Sequence, residues 1–202
     1  MPDGTVEDVE SGTPQGGSIS VLLSHVYLHY VLDLWVEKTR RKQLEGEAYW
    51  VRYLDNFARC FQYRSDALRV RKLLEERLHQ FGLELAPEKT RLIAVGRCAQ
   101  RDAATQGKQR PETFSFLGLT HYCTRNRQGH FKGERRTERK RLQRATQTIQ
   151  RLIRDRLHAP VPLQQQALNQ YLRGYDNYYG IAGNVQSLLR LYRLTEKRWR
   201  KT

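Results

Sequence analysis

Cysteine is scarce in this chain of 202 residues, and the pattern of its three copies excludes two common kinds of small scaffold. Cys60, Cys98 and Cys123 are odd in number, and no pair has the CxxC spacing of zinc ligands. A disulfide framework uses an even set of cysteines, and a structural zinc site uses paired ligands. The six histidines also lack ligand spacing. The sequence therefore predicts neither kind of scaffold, and a reducing cytoplasm is the compartment that fits.

Long apolar runs and a targeting segment are also missing from the sequence pattern. No apolar run approaches the roughly 20 residues that span a bilayer. The first residues include four acids, Asp3, Glu7, Asp8 and Glu10, without the basic and apolar regions of a signal peptide. We therefore expect a soluble, cytoplasmic protein with no membrane partner.

Acidic residues are scarce in the second half of the chain. Residues 1–100 contain 14 Lys and Arg against 14 Asp and Glu, whereas residues 101–202 contain 22 against 7. The whole net charge of +15 therefore comes from the second half. Lys and Arg that neutralise phosphates release condensed counterions, so this asymmetry predicts a polyanionic partner. A merely solvated basic surface is the alternative.

The first part of the chain has the periodicities of an α+β fold. Apolar residues recur at steps of three and four from Gly16 to Trp35 and predict a long helix with one buried face. The charged residues 37–47 predict a solvated connection. Residues 49–61 predict a β-hairpin that turns at Asp55-Asn56, because both residue types tolerate the positive φ of two-residue turns. A carboxylate is therefore expected at the hairpin tip.

The rest of the chain changes from mixed to helical. We predict a helix over 65–81, strands over 83–85 and 90–95, a flexible loop over 99–111 and a second hairpin from 114 to 131. From Thr137 onward, three apolar periodicities separated by Pro and Gly predict three helices. The boundary is placed near residue 135, with an α+β domain over 1–135 and a helical domain over 136–202. No internal repeat is found.

Four short motifs in the first part carry a family resemblance. In chain order they are Gly12-Thr13-Pro14-Gln15-Gly16-Gly17, Tyr53-Leu54-Asp55-Asn56, Leu83-Glu84-Leu85-Ala86-Pro87-Glu88-Lys89-Thr90 and Phe116-Leu117-Gly118. They resemble the GTPQGG, YADD, LxLxxEKT and FLG motifs of group II intron reverse transcriptases. Residues 172–179, Leu-Arg-Gly-Tyr-Asp-Asn-Tyr-Tyr, resemble the RGW-x-NYY signature of the maturase domain of that family. The resemblance implies a partial polymerase palm followed by a helical maturase thumb.

The resemblance also implies roles for single residues. Asp55 matches a metal-binding catalytic carboxylate, and Lys89 matches a residue near the triphosphate. Pro14, Gln15 and Gly16 match the turn that approaches nucleotide and template. Each has an ordinary alternative, because turns favour Asp, most lysines are solvated, and Gly-rich turns start helices.

Two residues of the maturase signature, Arg173 and Tyr175, match positions that bind RNA in the family. Their alternative is helix packing, because tyrosines usually contribute to cores.

Departures from the family pattern limit the chemistry that we expect. The family holds two Mg²⁺ ions with the YADD carboxylates and an aspartate from an earlier strand, which would lie before residue 1. The second YADD aspartate is Asn56 here. A neutral amide is a poor partner for a hard cation, and a two-metal mechanism needs enough charge to hold both ions. We therefore expect no productive Mg²⁺ binding and no polymerase activity from this chain alone.

The last predicted helix provides separate evidence for nucleic-acid binding. Four cations share one of its faces at steps of three and four: Arg190, Arg193, Lys197 and Arg200. Six more lie on the first of the three helices: Arg139, Lys140, Arg141, Arg144, Arg151 and Arg154. A solvated face usually mixes signs, so these surfaces indicate binding to the phosphate backbone.

The leading hypothesis is a fragment of a group II intron reverse transcriptase and maturase that retains binding to intron RNA, with DNA as a further nucleic-acid partner. A non-catalytic protein that assists splicing is one alternative. Half of a split polymerase, completed by an upstream polymerase fragment, is another. The chain could also pair with a second copy of itself.

Overall fold

A computed structural model describes residues 18–201 of the chain, so the predicted role of Pro14, Gln15 and Gly16 lies outside the described residues. The first helix is α1 (Ser18–Leu28), which continues through a π-helical turn (His29–Asp33) into α2 (Leu34–Gln43). The other helices are α3 (Arg64–His79), α4 (Ala99–Thr105), α5 (Arg139–Asp155), α6 (Val161–Tyr179) and α7 (Val185–Trp199). The strands are β1 (Ala48–Tyr53), β2 (Asn56–Phe61), β3 (Phe114–Phe116), β4 (Leu119–Arg125) and β5 (Phe131–Thr137). The predicted α+β class is confirmed.

The chain packs as two compact units, residues 1–92 and 93–202. The first unit contains α1 to α3 and the antiparallel pair β1 and β2, and the second contains α4 to α7 and the antiparallel sheet β3-β4-β5. The second sheet therefore packs in the same unit as the three C-terminal helices. The domain boundary near residue 135 stays a prediction.

The core of the first unit lies between the long N-terminal helix and α3. Val31, Leu32 and Val36 are buried against Leu74 and Leu78. The predicted long helix is confirmed, but the assignment of its buried face is partly wrong. Val31 faces the core as expected, whereas other apolar residues of the predicted face are exposed: Leu23, Val26, Tyr27, Tyr30 and Leu34.

By length and composition, the segment Ile19–Thr39 could cross a membrane, with a mean hydropathy of 1.4 in its most apolar window. The sequence expectation that no segment meets this criterion was wrong. The finding is weak evidence for a membrane span, because core helices of soluble proteins meet the same criterion. Val31, Leu32 and Val36 of this segment lie in the protein core.

The loop between α2 and β1 is held to α3 by hydrogen bonds. The buried carboxylate of Asp66 accepts hydrogen bonds from the backbone N–H groups of Glu45 and Gly46, the latter at 3.0 Å. A Cβ atom on Gly46 would lie 2.6 Å from the Tyr63 ring, so a larger residue here would displace that ring. The predicted solvated connection over 37–47 is shorter than expected because α2 continues to Gln43.

Three further local predictions need correction. Residues 83–95 form turns and irregular backbone rather than two strands, and residues 99–105 form α4 rather than a loop. The second predicted hairpin is part of a three-stranded sheet, with a tight turn at Leu117-Gly118 and a second turn near Gly129. Alternating residues resemble a strand even where no neighbouring strand accepts their hydrogen bonds, so pattern alone overpredicts strands at 83–95.

The three predicted C-terminal helices are confirmed, and their apolar faces form the core of the second unit. Ala145, Ile149 and Ile153 of α5 pack with Leu168 and Leu172 of α6, and Leu191 of α7 completes the cluster. The buried side-chain amide of Asn184 connects the residues that flank the bundle helices. Asn184 accepts a hydrogen bond from the backbone of Thr137 at 2.7 Å and donates one to the Tyr179 carbonyl at 2.9 Å.

Candidate functional site

The β1–β2 hairpin places a carboxylate at its tip, as the sequence predicted. The turn residues are Leu54 and Asp55, one position earlier than expected, and Asn56 already pairs with Tyr53 in the ladder. The residue with positive φ is Leu54, at 56°. Asp55 is exposed, and its carboxylate accepts a hydrogen bond from the Asn56 side chain at 2.9 Å. Asp55 and Asn56 therefore act as one exposed polar pair.

An ion pair beneath the tip supports this turn. The guanidinium of Arg52 donates to both carboxylate oxygens of Asp33, at 2.8 and 2.5 Å, and to the Leu54 carbonyl at 2.8 Å. The hydrogen bonds from Arg52 lower the pKa of the Asp33 carboxyl. The Arg52 side chain is only 6% exposed, whereas the Asp33 side chain is 26% exposed, so the pair is partly shielded from solvent. Arg52 thus joins the hairpin turn, which contains Asp55, to the π-helical turn, which contains Asp33.

The residues around Asp55 do not fit a two-metal centre. Within residues 18–201, no group of three or more His, Cys, Asp or Glu side chains is arranged to hold a metal ion. Asp55 has an amide as its neighbour, and the carboxylate of Asp33 is engaged by Arg52. Mg²⁺ prefers several carboxylate and water oxygens in near-octahedral geometry. The described hairpin offers one free carboxylate for that purpose.

Replacement of Leu54 by glycine should stabilise the first unit by about 1 kcal/mol, because a leucine with positive φ is strained and glycine is not. Urea unfolding followed by the fluorescence of Trp35 and Trp50 measures this change. The matched control is Leu68→Gly on the exposed side of α3, which should destabilise by about 1 kcal/mol. Destabilisation by both substitutions would show that the turn is not strained.

Lys89 lies in an exposed turn after α3, where its backbone N–H donates to the Ala86 carbonyl at 3.1 Å. No hydrogen bond or ion pair joins its side chain to Asp55 in the part of the chain that the structure describes. Its role near a triphosphate therefore stays a prediction.

A positively charged surface lies along α7 and at its C-terminal end. Arg190, Arg193, Lys197 and Arg200 are all exposed, and Arg200 pairs with Glu196 at 2.6 Å. Near the end of α7, a shallow groove of about 310 Å³ is lined by Arg193, Glu196, Lys197, Arg200 and Lys201. The six cations predicted on α5 are exposed as well. The predicted basic stripe is therefore a real face of the folded helix, and its contact with RNA stays a prediction.

Some residues of the signature over 172–179 lie on the surface of the second unit, and others lie in its core. Arg173 is exposed on α6, but Tyr175 is 9% exposed and packs in the core of the second unit. Burial is the main cause that raises the pKa of Tyr175 to about 12. The burial of Tyr175 favours the packing alternative, and its contact with RNA stays a prediction.

Two tyrosines of the same signature hold the Phe116-Leu117-Gly118 turn. The Tyr178 hydroxyl donates to the Leu117 carbonyl at 3.1 Å. Gly118 has a φ of 74°, and a Cβ atom there would lie 2.9 Å from the Tyr179 hydroxyl. The positive φ therefore favours glycine, and a larger residue would also displace the Tyr179 hydroxyl. Sequence reasoning named both motifs but gave no signal that they touch.

Comparison with known protein families shows which family this chain belongs to. A sequence model of the family described as reverse transcriptase (RNA-dependent DNA polymerase) matches residues 5–121, more than half of the 202 residues. The chain belongs to the reverse transcriptase family. The match includes the Asp55 hairpin and the Phe116-Leu117-Gly118 turn, and it ends before the three C-terminal helices. No curated protein matches the chain.

Reverse transcriptases bind nucleic-acid templates and generally use Mg²⁺. In this reverse transcriptase-family chain, Asp55 sits at the hairpin where the family resemblance places a catalytic carboxylate, and Asn56 replaces the second one. The hairpin lies within the segment that matches the family, and the catalytic role of Asp55 stays a prediction. Within residues 18–201, no group of three or more potential ligands is arranged to hold a metal ion.

Proposed function

We propose that this chain is the latter part of a group II intron-type reverse transcriptase and maturase, and that it binds structured RNA without copying it. The observation that carries the proposal is the line of four exposed cations along α7 and its C-cap: Arg190, Arg193, Lys197 and Arg200. Intron RNA is the proposed partner, and the cytoplasm is the proposed location. DNA is a further partner that the same cations would accept.

Charge supports the second unit as the binding unit. Residues 93–202 contain 23 Lys and Arg against 7 Asp and Glu. Such a field attracts a polyanion over several ångströms and raises the rate of encounter. Most of the α5 and α7 cations are arginines, whose guanidinium groups make forked contacts with phosphate and stack on unpaired bases. These properties suit the folded, partly single-stranded surface of a structured RNA.

The Asp55-Asn56 pair favours a binding role over polymerisation. Two-metal catalysis holds two cations a few ångströms apart, where they activate the attacking and the leaving oxygen. One carboxylate beside an amide supplies too little negative charge for that task. A non-catalytic role in assisting splicing is therefore the form of the proposal that the hairpin supports.

Fluorescence anisotropy with a labelled structured RNA tests the binding. We expect the affinity to fall by about 100-fold or more when salt rises from about 50 to about 200 mM, because each neutralised phosphate releases counterions. An affinity that does not change with salt would contradict backbone binding.

The same assay tests the intron assignment with two RNAs of equal length, a group II intron domain and an unrelated structured RNA. We expect at least about tenfold tighter binding to the intron domain, a difference of about 1.4 kcal/mol. Equal affinities would leave general RNA binding intact and contradict the intron as its specific partner.

A further inference from the structure

The helix α5 carries a row of cations that is separate from the row on α7. Four exposed side chains, here called the α5 stripe, follow each other at steps of four, seven and three: Lys140, Arg144, Arg151 and Arg154. Residues at these steps share one face of a helix, because seven residues complete nearly two turns. The buried residues Ala145, Ile149 and Ile153 lie on the opposite face. The α5 stripe therefore faces away from the core of the second unit.

Acidic side chains do not neutralise the α5 stripe. Asp155 is the only acid among the 17 residues of α5, and among the described side chains no salt bridge engages any of the four cations. A face that is merely solvated usually mixes both signs. By contrast, α6 contains one cation, Arg173, and one acid, Asp176. The positive charge of the bundle is therefore concentrated on two of its three helices.

The cations of α7 and its C-cap, here called the α7 stripe, are Arg190, Arg193, Lys197 and Arg200. They lie opposite the buried residues Leu191 and Thr195. The helices α5, α6 and α7 share one core. Since each stripe lies on the side of its helix that faces away from this core, the two stripes point to different sides of a convex surface. An RNA duplex is also convex, so one straight duplex contacts one stripe at a time.

The spacing of the cations favours unequal affinities for the two stripes. From Arg190 to Arg200 the helix rises by about 15 Å, whereas from Lys140 to Arg154 it rises by about 21 Å for the same number of charges. The exposed Gln147 occupies the position at which a fifth cation would fill the gap in the α5 stripe. Because closely spaced cations attract phosphates more strongly, we expect RNA to bind the α7 stripe first and the α5 stripe more weakly.

One bound backbone leaves much of the charge of the second unit uncompensated. Residues 93–202 contain 23 Lys and Arg against 7 Asp and Glu. A backbone along α7 neutralises the cations that it contacts, and exposed charges more than about 10 Å away are screened from it at 0.1 M salt. The α5 stripe therefore remains able to neutralise further phosphates. On the basis of the RNA binding proposed for α7, we propose that the α5 stripe binds the phosphate backbone of a second RNA segment, so that one chain bridges two helices of a structured RNA.

Fluorescence anisotropy of the full chain with two RNAs tests this bridging. One RNA is a single hairpin, and the other contains two copies of that hairpin joined by a short unpaired linker. The linker holds the second hairpin at an effective concentration of about 1 mM, so we expect the double hairpin to bind at least about tenfold more tightly. Two independent copies alone would give a preference of about twofold. Sedimentation velocity should show one chain on each double hairpin.

The variant Lys140→Gln/Arg144→Gln/Arg151→Gln should lose the preference for the double hairpin and bind both RNAs within about threefold of each other, because only the α7 stripe remains. Its affinity for the single hairpin should stay within about threefold of that of the unmodified chain, since the two stripes are screened from each other. All three positions are exposed, so circular dichroism and urea unfolding should report an unchanged fold.

Two further variants separate the α5 stripe from net charge and from misfolding. The control Lys38→Gln/Arg64→Gln/Lys72→Gln removes the same charge from the first unit and should keep the preference for the double hairpin. The variant Gln147→Arg fills the gap in the α5 stripe and should raise that preference by about fivefold, the effect of about one phosphate contact. Such a gain of affinity cannot result from misfolding.

The outcomes distinguish a failure of bridging from a failure of RNA binding. Binding of the single hairpin without a preference for the double hairpin would contradict bridging and leave the binding by α7 intact. A preference that the α5 triple variant retains, or that Gln147→Arg leaves unchanged, would place the second contact elsewhere. Two chains on each double hairpin would show that one chain does not bridge. Absence of binding to either RNA would contradict both proposals.

Discussion

The triple variant Arg190→Gln/Arg193→Gln/Lys197→Gln should bind structured RNA about 100-fold more weakly than the unmodified chain at about 0.1 M salt. Each exposed cation that contacts a phosphate contributes about 1 kcal/mol, and three such losses correspond to about two orders of magnitude. All three side chains lie on the exposed face of α7, away from the buried Leu191, so the fold should be unaffected. Fluorescence anisotropy measures the affinity, and urea unfolding checks the stability.

A matched control separates the position of the charges from their number. Lys38, Arg64 and Lys72 are exposed cations of the first unit, and replacing all three by Gln removes the same total charge. We expect this control to change the affinity by less than about threefold, because long-range charge is screened within about 10 Å at 0.1 M salt. If both triple variants lose the same affinity, binding follows net charge and α7 is not the interface.

Primer extension by this chain should be undetectable on an RNA template with Mg²⁺, equal to the background of an Asp55→Ala variant. The carboxylate of Asp55 shares the hairpin tip with the Asn56 amide, and no metal-holding group of three or more ligands lies within residues 18–201. Without that charge, the two ions of the polymerase mechanism cannot be held. Incorporation of labelled nucleotide measures the activity.

The variant Asn56→Asp provides the informative control for this prediction. It restores a second carboxylate at the tip without adding a third ligand, so it should also stay at background. Incorporation that appears in the unmodified chain and disappears in Asp55→Ala would contradict the account of the hairpin. Incorporation that appears only in Asn56→Asp would mean that the single substitution is what prevents metal binding.

The helical elements were predictable because their signal is local. The apolar spacing of Ala145, Ile149 and Ile153 predicts the buried face of α5, and the structure places all three in the core. The same rule failed on α1, where Leu23, Val26 and Tyr27 have the spacing of a buried face but are exposed. Periodicity reports which residues could share a face, and the presence of a partner decides whether that face is buried.

The β-hairpin was predictable as a unit, but its turn was not. Asp and Asn favour two-residue turns, which suggested Asp55-Asn56. In the structure, Leu54 has the positive φ, and Arg52 donates hydrogen bonds to the Leu54 carbonyl and to Asp33. An ion pair across 19 residues of sequence leaves no local pattern, so sequence reasoning missed Asp33 and Arg52.

The candidate site was predictable where it lies on one element. Four cations at helical spacing share the surface of α7, since their geometry depends on that helix alone. Tyr175 was assigned to RNA contact through family resemblance, and the bundle buries it. Its burial depends on how α6 packs against α5 and α7, which no single stretch of sequence encodes.

The salt dependence of RNA binding, measured side by side for the unmodified chain and the α7 triple variant, tests the central claim most directly. A plot of log affinity against log salt has a slope that counts the phosphates neutralised, at about 0.7 to 0.9 per phosphate. We predict that the slope of the variant is shallower by about 2 to 3, because Arg190, Arg193 and Lys197 no longer release counterions. Parallel lines for the two proteins would contradict the assignment of α7 as the phosphate-binding face.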